Sequence, residues 1–148
     1  MAWRPLTGAF KLEHYNKTAS QVFTLGALVD VVDGLITVCT ITRAPHSGIM
    51  QKTVAATDTD YASTTRLPIQ VPQSPSCKWR VSVLAADTAV STDVGNFIDI
   101  GGTPVGIDVT RASSADDAFL VSDFMGANVL GGHLNSYKAM QPGIGTAT

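Results

Sequence analysis

Apolar and polar residues alternate with a period of two in several short runs of this chain, and turn-forming residues separate the runs. Leu28-Val29-Asp30-Val31-Val32 is followed by Asp33-Gly34 and then by an apolar-rich stretch over residues 35–41. A two-residue Asp-Gly connection supplies the positive φ angles of a type I′ turn, whose twist matches the strands beside it, so residues 28–41 predict a β-hairpin. Trp79, Val81 and Val83 alternate with Arg80 and Ser82 as in a half-buried strand, with Trp79 at the centre of the core. Leu67, Ile69 and Val71 share one face of residues 67–72, but Pro68 and Pro72 lack amide donors and predict an edge or irregular strand. Residues 95–100 and 105–110 read as a hairpin through Gly101-Gly102-Thr103-Pro104, and residues 119–124 and 128–134 as a last pair turning at Met125-Gly126-Ala127. Between them, residues 44–60 predict a long loop with one short strand, and Ser113 to Asp117 a polar loop. Turn-forming residues every 8–12 positions or so are the spacing of a sandwich or barrel. The expected core is Val31, Ile36, Val38, Trp79, Val81, Val83, Ile107, Val109, Phe119 and Val121.

Residue usage points the same way. Seventeen Thr against a single Glu, with abundant Val and Ile, is the reverse of helix-rich usage, because branched β-carbons stiffen χ1 and pack well on a pleated face. The expected fold class is all-β, a small barrel or sandwich. At 148 residues one domain suffices, and about 68–70% of the unfolded surface is buried by a chain of this size. Only 15% of residues are charged and the net charge is −2, so the surface is unusually neutral and easily covered by a neighbour. With no basic stripe, nucleic acid is not an expected partner. No window approaches 18 uninterrupted apolar residues, so no membrane span is expected. The first residues lack an apolar leader segment, which makes Cys39 and Cys77 reduced, buried thiols of a chain made in the cytoplasm, and leaves the Asn16-Lys17-Thr18 sequon without meaning.

Residues 1–20 behave differently. Trp3, Phe10 and Tyr15 are interleaved with Arg4, Lys11, His14 and Lys17 without a hydrophobic period. The segment reads as an extended arm, residues 21–136 as the β domain, and residues 137–148 as a flexible or docked tail. Large rings cost free energy in water, so the aromatics are expected either on a partner surface or on the far side of the chain's own core. In the partner reading the contact residues are Trp3, Arg4, Leu6, Phe10, Lys11 and Tyr15.

No string in the chain carries catalytic chemistry. A nucleophile elbow would need Gly-x-Ser-x-Gly, which does not occur. His14, His46 and His133 lack the spacing that presents two imidazoles to one metal, and neither cysteine belongs to a Cys-x-x-Cys pair. Asp58-Thr59-Asp60 and Asp116-Asp117 are the close carboxylate sets. The first lacks the glycine of a calcium loop, and both read as solvated turns. The glycines of residues 101–106 are not followed by the Lys-Ser/Thr of a phosphate loop. No catalytic, metal or cofactor-binding residue is therefore expected, and the chain is not expected to be an enzyme.

The strings Val94-Gly95-Asn96-Phe97-Ile98-Asp99-Ile100, Gly106-Ile107-Asp108-Val109-Thr110, Phe119-Leu120-Val121-Ser122-Asp123-Phe124 and Val129-Leu130-Gly131-Gly132-His133-Leu134-Asn135 resemble the C-terminal half of head decoration, or cement, proteins of tailed bacteriophages. Residues 26–36 are similar to the strand-turn-strand that opens those domains, and the matches together cover about half the chain. The resemblance implies a β-tulip-like body on the outer capsid surface of the virion. It would be bound to the major capsid protein, self-associated as a trimer or dimer, and strapped to neighbouring capsomers by an extended arm. Residues 44–83 depart from the family's smallest members and are expected to form an extra lobe or second contact surface. Two other classes remain. A virion or cell-surface β-sandwich binding carbohydrate or a receptor would cluster exposed aromatics with Asp and Asn on one set of loops. A hydrolase would need the Asp116/Asp117 or His133 region to converge on a pocket.

Overall fold

A computed structural model of the chain describes residues 3–39, 48–74, 76–84, 87–101, 106–108 and 119–134. Among them the strands are β1 (Trp3–Thr7), β2 (Phe10–Lys17), β3 (Leu28–Val32), β4 (Leu35–Val38), β5 (Gly48–Met50), β6 (Arg66–Pro72), β7 (Lys78–Ser82), β8 (Phe97–Gly101), β9 (Gly106–Asp108), β10 (Phe119–Phe124) and β11 (Val129–Leu134). One turn of 3-10 helix covers Ser91–Asp93. The fold is all-β.

Five strands close into a barrel in the order β2-β4-β3-β5-β6, with β2 and β4 parallel and the other neighbours antiparallel. The β3–β4 hairpin turns at Asp33 (φ 51°) and Gly34 (φ 80°), the left-handed pair that the Asp-Gly dipeptide predicts. The other six strands form a sheet in the order β1-β7-β11-β10-β8-β9. Strand alternation then creates two cores. Val29, Ile36, Met50, Leu67 and Ile69 point into the barrel with Phe23 and Val54, backed by half-buried Tyr15, Val31 and Val71. Leu28 and Ile49, next in sequence to Val29 and Met50, point outward and join Trp3, Trp79, Val81, Ile98, Phe119, Val121 and Leu130 from the inner face of the sheet. The sheet thus packs against the outside of the barrel.

Rings make up the centre of that second core. Trp3 meets Trp79 edge-on at 5.6 Å and Phe119 at 5.9 Å, and Phe10 meets Trp79 at 5.2 Å, all near the perpendicular geometry that aromatic quadrupoles favour. Room for them comes from Gly132, which lies across from Trp79 on one side and Val121 on the other. A Cβ there would run into the carbonyl oxygen of Leu120 and the ring of Phe119.

The first twenty residues are not a free arm. β1 pairs with β7, with Trp3 opposite Val81, and β2 pairs with β6 along seven residues from Phe10 to Asn16. Their antiparallel partners lie fifty or more residues away, so no local period reveals them. Trp3 is fully buried, and so is Lys17, whose Nζ donates to the carbonyls of Tyr61 (2.9 Å) and Ser63 (2.6 Å). The amide of Lys17 donates to Thr65 O, and the Tyr61 hydroxyl to Ser20 O. The lysine therefore ties the 61–65 loop over one end of the barrel as a structural clamp.

Three further expectations change. β6 is not an edge strand, since it pairs with both β2 and β5. Pro68 is tolerated because its carbonyl accepts from Gln51 N, so its missing donor faces the same side, just past the end of the three-residue β5. Val38 is 41% exposed rather than buried, because it ends β4 at the barrel rim. The described part of residues 44–83 does not form an added lobe: β5 and β6 are barrel staves and β7 is an inner strand of the sheet. Cys39 and Cys77 are buried and unbridged, the latter donating to Ala9 O at 3.3 Å. The burial of Ile107, together with Val109, His46, Asp116, Asp117 and the 137–148 tail, lies outside the described residues.

Two outcomes follow for stability. Replacing Trp3 with Ala should cost about 3–5 kcal/mol, a Tm decrease on the order of 10 °C by calorimetry, and removing residues 1–15 should unfold the domain rather than release an arm. Lys17→Met should cost about 1–3 kcal/mol in a urea titration, because the Tyr61 and Ser63 carbonyls lose their donor.

Candidate functional site

One face of the six-stranded sheet is covered by the barrel, and the other carries the polar half of each strand's alternation. β1 contributes Arg4 and Leu6 to this outer face, β7 contributes Lys78, Arg80 and Ser82, β11 contributes Gly131 and His133, and β10 and β8 contribute Asp123, Leu120 and Phe97. Cross-strand register aligns Arg4, Arg80, Gly131 and Asp123 in one row and His133, Leu120 and Phe97 in another. Leu6 lies over Gly131, where a Cβ would come within 2.7 Å of Leu6 Cδ2. Glycine at 131 thus lets an apolar side chain lie flat between the cationic and acidic ends of the row.

Asp123 is the acceptor of this face. Its Oδ2 takes the Ser122 hydroxyl at 2.6 Å and the Lys78 ammonium at 3.1 Å. These two hydrogen bonds hold its carboxyl below the usual carboxylate range, and the positive charges of Lys78 and His133 add to the effect. His133 Nδ1 is 3.1 Å from Cys77 O. A serine, an aspartate and a histidine therefore occur close together, but the serine hydroxyl is bonded to the carboxylate itself. A nucleophilic relay needs the imidazole between the two. Ser122, Asp123 and His133 do not form that relay.

The expected partner-contact residues do not share one surface. Trp3, Phe10 and Tyr15 are turned into the two cores, Lys11 is exposed beside Glu13 at 3.5 Å on the barrel, and Arg4 and Leu6 lie on the outer face of the sheet. Asp58 and Asp60 hold turns, accepting from Ala55 N (2.8 Å) and the Thr65 hydroxyl (3.0 Å). Among the described residues no three His, Cys, Asp or Glu side chains are placed to hold a metal ion.

A second feature could not be read from periodicity. The segment from Ala89 to Ile98 runs along β10 and the turn after it, with Ala89 N bonded to Ala127 O, Gly95 N to Val121 O and Val121 N to Asn96 O. It carries Val90, Val94 and Phe97 alongside β10, which bears Phe124 and leads into Met125, and all five are large apolar residues left exposed, Phe97 at 52%; Phe97 lies across from Leu120 on the outer face, whereas Phe124 lies across from Leu130. The valines sit in a stretch without alternation, so only the backbone pairing reveals their placement. On the opposite side, a groove of about 410 Å3 between β1 and the barrel is lined by Arg4, Pro5, Leu25, Gln51 and Gln70, with buried Trp3 behind.

Asp123 gives a pH test. Its folded-state pKa is depressed, so the stability it contributes is present above the unfolded value and lost as pH falls through the folded one. The wild type should exceed Asp123→Asn at pH 6 by less than about 1 kcal/mol, the scale of a partly exposed ion pair, with the difference shrinking in urea titrations as pH falls below the usual carboxylate range.

No protein-family model matches the chain, and no curated protein matches it.

Proposed function

We propose that this chain is a non-enzymatic capsid decoration protein of a tailed phage, bound to the outer surface of the head and stabilising contacts between major capsid subunits. The observation that carries the reading is the exposure of the large apolar residues Val90, Val94, Phe97, Phe124 and Met125 beside the open face of a rigid sheet. Large apolar side chains left exposed along neighbouring strands mark a candidate docking site, and each contributes about 1–3 kcal/mol when buried on a partner. The resemblance of residues 94–100, 106–110, 119–124 and 129–135 to decoration proteins supports it further, since the described part of those strings carries Val94, Phe97, Phe124 and His133. Docking then works differently from an arm that straps a neighbour: the contact is a preformed surface that loses little conformational entropy on binding. Several copies, as a dimer or trimer, would multiply a modest single-site affinity by effective concentration.

The carbohydrate-binding alternative would use the groove beside β1. Its aromatic residue, Trp3, is fully buried and offers no ring face for a sugar to stack on, so the exposed apolar residues favour the protein partner.

The test is co-sedimentation of the purified chain with phage heads that lack their decoration protein, with mass in solution measured in parallel. The wild type should bind, and Phe97→Ser with Phe124→Ser should lower occupancy at least about tenfold while leaving circular dichroism unchanged. Failure of the wild type to bind, or equal binding by the variant, would overturn the reading.

A further inference from the structure

Arg4 and Arg80 lie directly opposite one another across the β1–β7 ladder, both on the outer face of the sheet. Directly opposed side chains have Cβ atoms about 4.5–5.5 Å apart, and two like charges there repel. Proteins usually place an acid beside such a pair. Here, among the described residues, no carboxylate forms an ion pair with either guanidinium. The acid in the same row, Asp123, is two strands beyond Arg80, with Gly131 and the overlying Leu6 between, and its oxygen is already taken by Lys78 and Ser122. The pair is also held stiffly. Trp3 precedes Arg4, and Trp79 and Val81 flank Arg80, all three buried in the aromatic core.

We infer that Arg4 and Arg80 together form an anchor for carboxylates on an acidic protein partner. The inference rests on the docking reading above and names the chemistry of the partner's surface. A guanidinium presents its N–H groups in a planar fork that matches a carboxylate bidentately, and two adjacent forks select two neighbouring acids. Charge complementarity relieves the repulsion that the free sheet tolerates. A protein surface fits better than a nucleic acid, because two arginines on a chain of net charge −2 make no stripe for a phosphate backbone and Phe97 and Leu120 make the same face apolar further along.

The probe is poly-L-glutamate, titrated into the full chain at low salt, with oligothymidylate of equal length as competitor. The wild type should bind the polyglutamate, more weakly as salt rises. Arg4→Gln with Arg80→Gln should bind at least about tenfold more weakly with an equal or higher Tm. Arg4→Lys with Arg80→Lys, which keeps the charges and loses the forks, should fall between. Arg66→Gln, an exposed cation on the barrel, should stay within about twofold of the wild type. Polyglutamate affinity that is absent in the wild type, or unchanged in the Gln pair, overturns the anchor. Tighter binding of oligothymidylate than of polyglutamate overturns the assignment to a protein partner. Arginine-dependent polyglutamate binding by a chain that leaves phage heads bare would sustain the anchor and overturn the capsid reading alone.

Discussion

The edge-on contacts of Trp79 with Trp3 in the sheet and with Phe10 of the barrel hold the molecule's two halves together. Trp79 lies on the inner face of β7, the second strand of the sheet, and Trp3 reaches it from the neighbouring edge strand β1. Phe10, at the start of the barrel's first stave, packs on the same indole. One ring thus touches the sheet edge, the sheet interior and the barrel. Each aromatic buries a large apolar area, and edge-to-face geometry adds about 0.5–1.5 kcal/mol per pair beyond that. Gly132 exists in this arrangement as a space, since any side chain there would collide with Leu120 and Phe119.

Those contacts decide which surfaces remain for function. With the inner face committed to the barrel, the outer face is what the sheet offers a partner, and the aromatic core fixes the backbone under Arg4 and Arg80. The β1 edge is guarded as well. Trp3 N donates to Gly26 O, and Pro5 has no amide to give, which discourages another strand from pairing there. A polar face, exposed apolar residues along β8 and β10, and a blocked edge suit side-on docking to a surface better than strand exchange.

Lys17 shows the same economy at the other end of the barrel. Burying an ammonium is costly, and two short bonds to the Tyr61 and Ser63 carbonyls offset the loss of water. The result ties a loop rich in Asp and Thr to a stave, and the acids of that loop are occupied with its turns. What looks in sequence like a place for cation binding is thereby explained as local architecture.

Much of the fold was written in local patterns. Asp33-Gly34 dictated a hairpin because only certain residues accept positive φ, and the alternation around Trp79 and Val81 specified their inward face whatever lay opposite. The β8–β9 and β10–β11 pairings followed from the same logic of short apolar runs and tight turns. The first twenty residues were opaque because most of their strand partners, residues 66–72 and 78–81, are far along the chain, and burial of Trp3 and Lys17 depends on contacts with distant residues such as Trp79, Phe119, Tyr61 and Ser63. Pro68 could sit inside a barrel only because β5 stops one residue short of its missing donor. The candidate face was hidden for a related reason. Arg4 and Arg80 are unremarkable singly, and Val90 and Phe124 lie in unrelated stretches. Register across strands, a property of the folded sheet, sets the charges side by side, and the backbone pairing of residues 89–98 with β10 brings the exposed apolar residues onto neighbouring strands.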